Sequence, residues 1–152
     1  MLTGTRERKN HGNAGIGTTS PNSTLQVNGN IVGTTKNFQI PHPLGTKNWL
    51  IHSTIEGPEI AVYYRGEGQL VNGTAIVVLP AYFEKLTRKE NRTVILTNID
   101  GFDRISIKSQ NSKQVVNGTF VVYSDNTASS QEFFWEVKAV RADVLVLVAE
   151  KD

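Results

Sequence analysis

Between Gly15 and Thr35 the chain carries only five large aliphatic side chains, Ile16, Leu25, Val27, Ile31 and Val32, scattered among Gly, Thr, Asn and Ser. Fixing the backbone of each residue costs about 1–2 kcal/mol, against a return of about 25 cal/mol per Å² of apolar surface buried. Five side chains cannot order such a segment unless something else covers them. The preceding residues 1–14, MLTGTRERKNHGNA, are poorer still and read as a flexible attachment arm. The whole chain is economical in the same way. Hydrophobic residues make up 38% of its 152 positions, below the usual globular share, so the core is either small or shared with neighbouring chains.

From Lys36 onward strand signals are dense. Phe38 and Ile40 alternate with polar neighbours, Trp49-Leu50-Ile51 resumes an extended run after a Pro-rich turn, and a strand is predicted from Ile60 to Leu70. Further strands are predicted at Thr93–Ile99, Arg104–Lys108, Phe133–Val140 and Val144–Val148. In Phe133–Val140 the residues Phe133, Trp135, Val137 and Ala139 share one face while Glu136 and Lys138 share the other. The run VLVLV at 144–148 has no alternation, which predicts cover on both faces, within a sandwich or at a contact between subunits. Two segments, QLVNGTAIV at 69–77 and QVVNGTFVV at 114–122, share a frame whose Asn-Gly pair suits a tight type I′ turn, so both are expected to be β-hairpins. Only 79–86 has helical character, with Phe83 and Leu86 one turn apart. The expected fold is all-β.

Several function classes fall away on composition. With 16 basic and 14 acidic residues the net charge of +2 implies neither nucleic acid nor an anionic membrane as partner, and the basic cluster Arg6, Arg8 and Lys9 reads as a solvated tail. Without cysteine there are no disulfides and no thiolate metal sites. No apolar run is long enough to cross a membrane as a helix, and no signal peptide is recognised, so membrane insertion is not expected. The Asn-x-Ser/Thr triplets at Asn22, Asn72, Asn91 and Asn117 are read as turn chemistry.

The stretch GIGTTSPNSTLQVNG, with Gly15, Ile16, Gly17, Thr18, Pro21, Leu25, Val27 and Gly29 in register, resembles a repeat of phage tail fibres and related bacterial fibres. The resemblance implies a trimeric shaft in which three chains pool Ile16, Leu25, Val27 and Ile31 into an axial core. A second resemblance covers most of the remainder. Lys36, Phe38, Ile40, His42, Pro43 and Leu44, then Leu50, His52 and Glu56-Gly-Pro-Glu59, match a C-terminal domain of phage-fibre-like proteins. So do Tyr64 and Gly66, Leu79-Pro80, Tyr82-Phe83-Glu84 and Leu86, and finally Trp135, Val137, Arg141 and Asp143. Gly45 departs from it where an acidic residue is common. The resemblance brings no established catalytic activity with it.

Candidate chemistry is thin. His42, His52, Glu56 and Glu59 offer metal-ligating types but lack His-x-His or His-x-x-x-His spacing, so turn and backbone roles are favoured over a metal site. Glu56 and Glu59 could face each other as glycosidase carboxylates, and Ser53 lies beside His52, yet no nucleophile elbow is present. Gly66-Glu67-Gly68 lacks the context of a phosphate loop. Among the aromatics, Tyr63, Tyr64, Tyr82, Trp49 and Trp135 are possible sugar platforms, with Trp135 favoured as core. Loops carry recognition more often than strands, which singles out 98–103 and 124–131 and, within them, Asn98, Asp100, Asp103, Ser124, Asp125 and Asn126.

The expected organisation is an attachment arm at 1–14, a trimeric β shaft stub at 15–35, and a β-sandwich-like knob at 36–152 with one short helical turn. The expected function is that of a homotrimeric fibre or appendage on the surface of a phage or phage-like particle. Its arm would hold another virion protein and its knob a host-surface glycan or protein. No cofactor and no enzymatic activity are expected. A decoration or trimer-registration protein without receptor is the alternative, and a surface hydrolase acting through Glu56 or Glu59 a third.

Overall fold

A computed structural model describes residues 12–148 and Glu150. The chain divides into two units, 1–36 and 37–152. The arm assigned to 1–14 lies outside the described residues except for its last three.

In the first unit two three-residue strands, β1 (Ala14–Ile16) and β2 (Leu25–Val27), pair in parallel with Ala14 opposite Leu25 and Ile16 opposite Val27. The Ile16 carbonyl accepts from the Asn28 backbone amide at 2.8 Å, and the Asn28 side-chain amide donates to the Gly17 carbonyl at 3.3 Å. Parallel strands ordinarily need a connection of about a dozen residues or more, whereas the turn-formers of 17–24 close this one sooner. Backbone bonds hold the coil, because its apolar side chains bury little: Ile16, Leu25, Ile31 and Val32 are 61, 60, 75 and 95% exposed.

The second unit is all-β with one helical turn. Its strands are β3 (Asn37–Pro41), β4 (Trp49–Ser53), β5 (Ala61–Gln69), β6 (Thr74–Val78), β7 (Thr93–Ile99), β8 (Ile105–Ile107), β9 (Thr119–Ser124) and β10 (Glu132–Val140), with α1 at Phe83–Leu86. One sheet runs β5-β10-β7 and a second β6-β9-β8, every neighbour antiparallel. Inward residues of both sheets, among them Phe120 and Val122 of β9 and Phe133, Val137 and Ala139 of β10, form one core closed by Leu70, Leu79, Phe83 and Val115. A third, two-stranded sheet, β3-β4, packs Phe38, Ile40 and Leu50 with Val62, Tyr82 and Leu86 as a satellite core.

Side-chain size fits the sheets together. Phe133 lies across from Gly68 and Trp135 across from Gly66. A Cβ at either glycine would meet the facing ring at 2.6 Å. Gly66-Glu67-Gly68 is therefore the floor on which two aromatic rings rest, and Trp135 is half-buried against the core, edge-on to Phe120 at 5.7 Å.

Two expectations need correction. Both Asn-Gly pairs do adopt left-handed backbone, Asn72 and Gly73 at φ 51° and 75° and Asn117 and Gly118 at 51° and 69°. Each turn, however, closes a single bridge, Val71 with Thr74 and Val116 with Thr119. At the first turn the chain leaves one sheet for the other, since β5 pairs with β10 and β6 with β9. At the second, β9 follows a segment with no strand, so neither frame is an extended hairpin. The second correction concerns 144–148, which forms no strand and is not central to the sandwich. Leu145, Val146, Leu147 and Val148 are 90, 66, 44 and 61% exposed. Asp143, forked onto Arg141 at 2.9 and 2.5 Å, turns the chain away after β10.

Candidate functional site

The loop that follows β7 is built from the inside. Asp100 takes left-handed backbone at φ 48°, reversing the chain after Ile99. The Asn98 amide then donates to the carbonyls of Gly101 at 3.3 Å and Asp103 at 2.7 Å, cross-bracing the loop. Gln131 Nε2 donates to Ile99 O at 2.5 Å, and its side chain fills the space beside Gly101, where a Cβ would come within 1.8 Å of Gln131 Oε1.

The second loop, 124–131, is braced by short-range turns. The Asn126 amide bonds Ser124 Oγ at 3.1 Å, Asn126 Oδ1 accepts from Ala128 N at 3.1 Å, and Ser129 Oγ accepts from Gln131 N at 3.1 Å. Gly73 N donates to Ser129 O and Ser124 N to Gly73 O, both at 2.9 Å, so this loop clasps the Asn72-Gly73 turn. The two loops meet: Asn126 Nδ2 lies 3.3 Å from both oxygens of Asp103, and Arg104 pairs with Asp125 at 2.5 Å. Hydrogen bonds from Ser129 and Asn126 hold the Asp103 carboxyl below the usual carboxylate range.

Three chain segments are thus joined into one end of the sandwich, and Phe102 projects from it wholly exposed. Beside it an open cleft of about 330 Å³ is lined by acceptor-rich groups including Asp100, Asp103, Gln131 and Glu132. Of the residues singled out in the sequence, Asp100, Asp103, Asp125 and Asn126 lie on this surface or rim it. Ser124 is buried at 8% exposure, and Asn98 spends its amide inside the loop, so these two support the surface rather than form it. Phe102 carries no sequence signal that separates it from a core aromatic; only its position between Gly101 and Asp103 in a polar loop hints at exposure.

The histidines gather elsewhere. His42 caps its own turn, with Nδ1 accepting from Leu44 N at 3.3 Å and its ring edge-on to Tyr82 at 5.3 Å. His52 is enclosed by Phe38, Tyr64 and Tyr82, with ring centroids 5.3, 5.8 and 6.1 Å away. Burial first, then the charge of Arg141, hold the His52 pKa below 6.5, which keeps the ring neutral. Burial and the neighbouring Tyr82 push the Tyr64 phenol well up, and its buried hydroxyl has no partner in bonding geometry. Among the described residues no three His, Asp or Glu side chains converge as a metal site, and Glu56 and Glu59 are both exposed on the turn between β4 and β5. The Arg141 guanidinium lies 3.8 Å over the Phe38 ring. These matched residues of the C-terminal resemblance thus form a packing joint between β3-β4 and the sandwich. No protein-family model and no curated protein matches the chain.

Proposed function

We propose that this chain is the subunit of a homotrimeric fibre or appendage on the surface of a phage or phage-like particle. The observation that carries the proposal is the exposure of Ile16, Leu25, Ile31 and Val32 in a coil held by hydrogen bonds rather than by apolar packing. Pooling such residues about a shared axis gives each the cover that one chain lacks. The arm at 1–14 would dock on another virion protein.

The knob recognises a host-surface glycan or protein through the end built by 98–104 and 124–131. A rigid loop carrying one exposed aromatic beside hydrogen-bond acceptors suits a sugar, whose apolar face stacks while its hydroxyls donate to Asp100, Asp103 or Glu132. Weak contacts repeated on one axis gain avidity of roughly 10²–10⁴-fold. The test is native mass of the purified chain together with its adsorption to cells or a glycan array. A trimer that adsorbs supports the whole reading. A trimer that adsorbs to nothing leaves a decoration or registration protein, and a monomer overturns the fibre.

A further inference from the structure

The tripeptide Val-Asn-Gly occurs three times, at 27–29, 71–73 and 116–118. An asparagine followed by glycine is open to one reaction in particular, since the glycine has no Cβ to hinder approach to its amide. That amide nitrogen gives up its proton and bonds to the asparagine Cγ. The Cγ–Nδ2 bond breaks, the proton ends on the departing nitrogen, and ammonia leaves a five-membered imide behind. Water then opens the imide at either carbonyl, giving aspartate or an isoaspartate whose main chain runs through the side chain. Adjacent residues set the intrinsic rate, and here they are the same on both sides of each asparagine. What differs is the fold around the attacking nitrogen.

At Asn72 and Asn117 that nitrogen is engaged. Gly73 is buried and its amide donates to Ser129 O at 2.9 Å, while a Cβ on it would stand 2.7 Å from Asn126 O. Gly118 is buried as well, and its amide donates to Glu84 Oε1 at 2.6 Å. A carboxylate in that place also opposes loss of the amide proton. Attack at either site requires these bonds to break first. Around Asn28 neither restraint is present. Asn28 and Gly29 are both exposed, the Gly29 amide has no acceptor among the described residues, and a Cβ on Gly29 would meet nothing within 4 Å. The bond from the Asn28 side chain to Gly17 O is long, at 3.3 Å, and holds the reacting amide loosely.

We infer that Asn28 is the deamidation site of the folded chain, with Asn72 and Asn117 protected by the bonds their glycines make. The product acts on the first unit. Aspartate at 28 has no Nδ2 to donate to Gly17 O and sets a carboxylate against that carbonyl. Isoaspartate lengthens the main chain by one carbon beside the bond from Asn28 N to Ile16 O, which continues the β1-β2 pairing. Either way the reaction loosens this coil and leaves the sandwich alone. Asn28 is not among the side chains assigned to an axial core, so the inference does not rest on the homotrimer.

The full-length protein is held at mildly alkaline pH below its melting temperature and sampled by peptide mass spectrometry, which follows the three sites separately and tells aspartate from isoaspartate by fragmentation. Asn28 is expected to convert at least about 10-fold faster than Asn72 or Asn117, the scale of one hydrogen bond broken on the way to the transition state. In denaturant the three rates are expected to converge. Comparable rates in the folded protein overturn the inference. So does a preference for Asn28 that persists undiminished in denaturant, because the wider sequence and not the fold would then set it. In Asn28→Asp the backbone amides at 14 and 28, which donate to Thr24 O and Ile16 O, are expected to exchange hydrogen at least about 3-fold faster than in the unaltered chain. Exchange at the unaltered rate overturns the effect on the coil.

Discussion

Arg92 and Glu84 form an ion pair of unequal partners: at 2.5 Å separation the guanidinium side chain is 2% exposed and the carboxylate side chain 27%. Arg92 also donates from Nε to Arg88 O at 2.7 Å and from Nη2 to Thr87 O at 3.2 Å, and lies 4.8 Å over the Phe83 ring. Glu84 Oε1 takes a further bond from the Gly118 amide at 2.6 Å. The pair therefore ties α1 to the segment entering β7 and to the Asn117-Gly118 turn.

Removing the anion leaves a buried cation with only carbonyl partners. Glu84→Gln is expected to destabilise the protein by about 2–4 kcal/mol, toward the lower part of the range for a broken buried pair because water reaches the carboxylate. Urea denaturation of the variant measures this. The double variant Glu84→Gln, Arg92→Met is expected to recover much of the loss, and a double variant weaker than the single one would show that Arg92 matters for more than its pairing.

Stability is expected to fall with acid in two separate windows. His52 is held below its ordinary value of 6.5, so the unfolded chain takes up that proton first. Stability therefore declines as pH drops from 6.5 toward the lowered folded value, and the loss is then complete. At Glu84 burial pushes the carboxyl up, but hydrogen bonds from Arg92 and the Gly118 amide, with the charges of Arg92 and Lys89, outweigh it and hold it low. Its contribution is present above the ordinary carboxylate range and is lost as pH falls through the lowered value. Chemical denaturation against pH reads both, and His52→Phe, which keeps a ring among Phe38, Tyr64 and Tyr82, is expected to erase the upper window alone.

Where the fold was legible, a local period carried it. Thr93–Ile99 and the alternating face of Phe133, Trp135, Val137 and Ala139 were readable because a half-buried strand repeats every second residue. Asn72-Gly73 and Asn117-Gly118 announce turns, but which sheet each following strand joins depends on β9 and β10, which come much later in the chain. The run Val144–Val148 shows that apolar content alone does not place a strand in a chain's own core. The candidate site was half legible: both loops could be singled out as connections between strands, which carry recognition more often than strands do, while the Asp103–Asn126 contact that joins them links positions with no shared local pattern.

Alanine in place of glycine normally stabilises a strand, and at two positions the opposite sign is expected. A Cβ at Gly68 or Gly66 would stand 2.6 Å from the Phe133 or Trp135 ring, both packed and unable to retreat without moving the core. Gly68→Ala and Gly66→Ala are each expected to cost about 1–3 kcal/mol by thermal or urea unfolding. Gly66→Ala combined with Trp135→Leu is expected to cost less than the two single changes added, because the smaller side chain frees the volume the methyl needs. Strict additivity would mean that ring and glycine do not press on each other.

Phe102 separates recognition from folding. Its ring is wholly exposed, so Phe102→Ala removes no buried surface and is expected to leave the melting temperature and native mass unchanged. If the loop end binds a surface ligand, the same change removes the aromatic anchor, and adsorption is expected to drop by at least about 10-fold, the scale of one binding hot spot. Asn98→Ala acts differently, freeing the Gly101 and Asp103 carbonyls that hold the loop in shape. It is expected to weaken adsorption and lower stability together, by about 1–2 kcal/mol in the latter. Full adsorption by Phe102→Ala would move recognition away from this end of the knob, whatever the native mass proves to be.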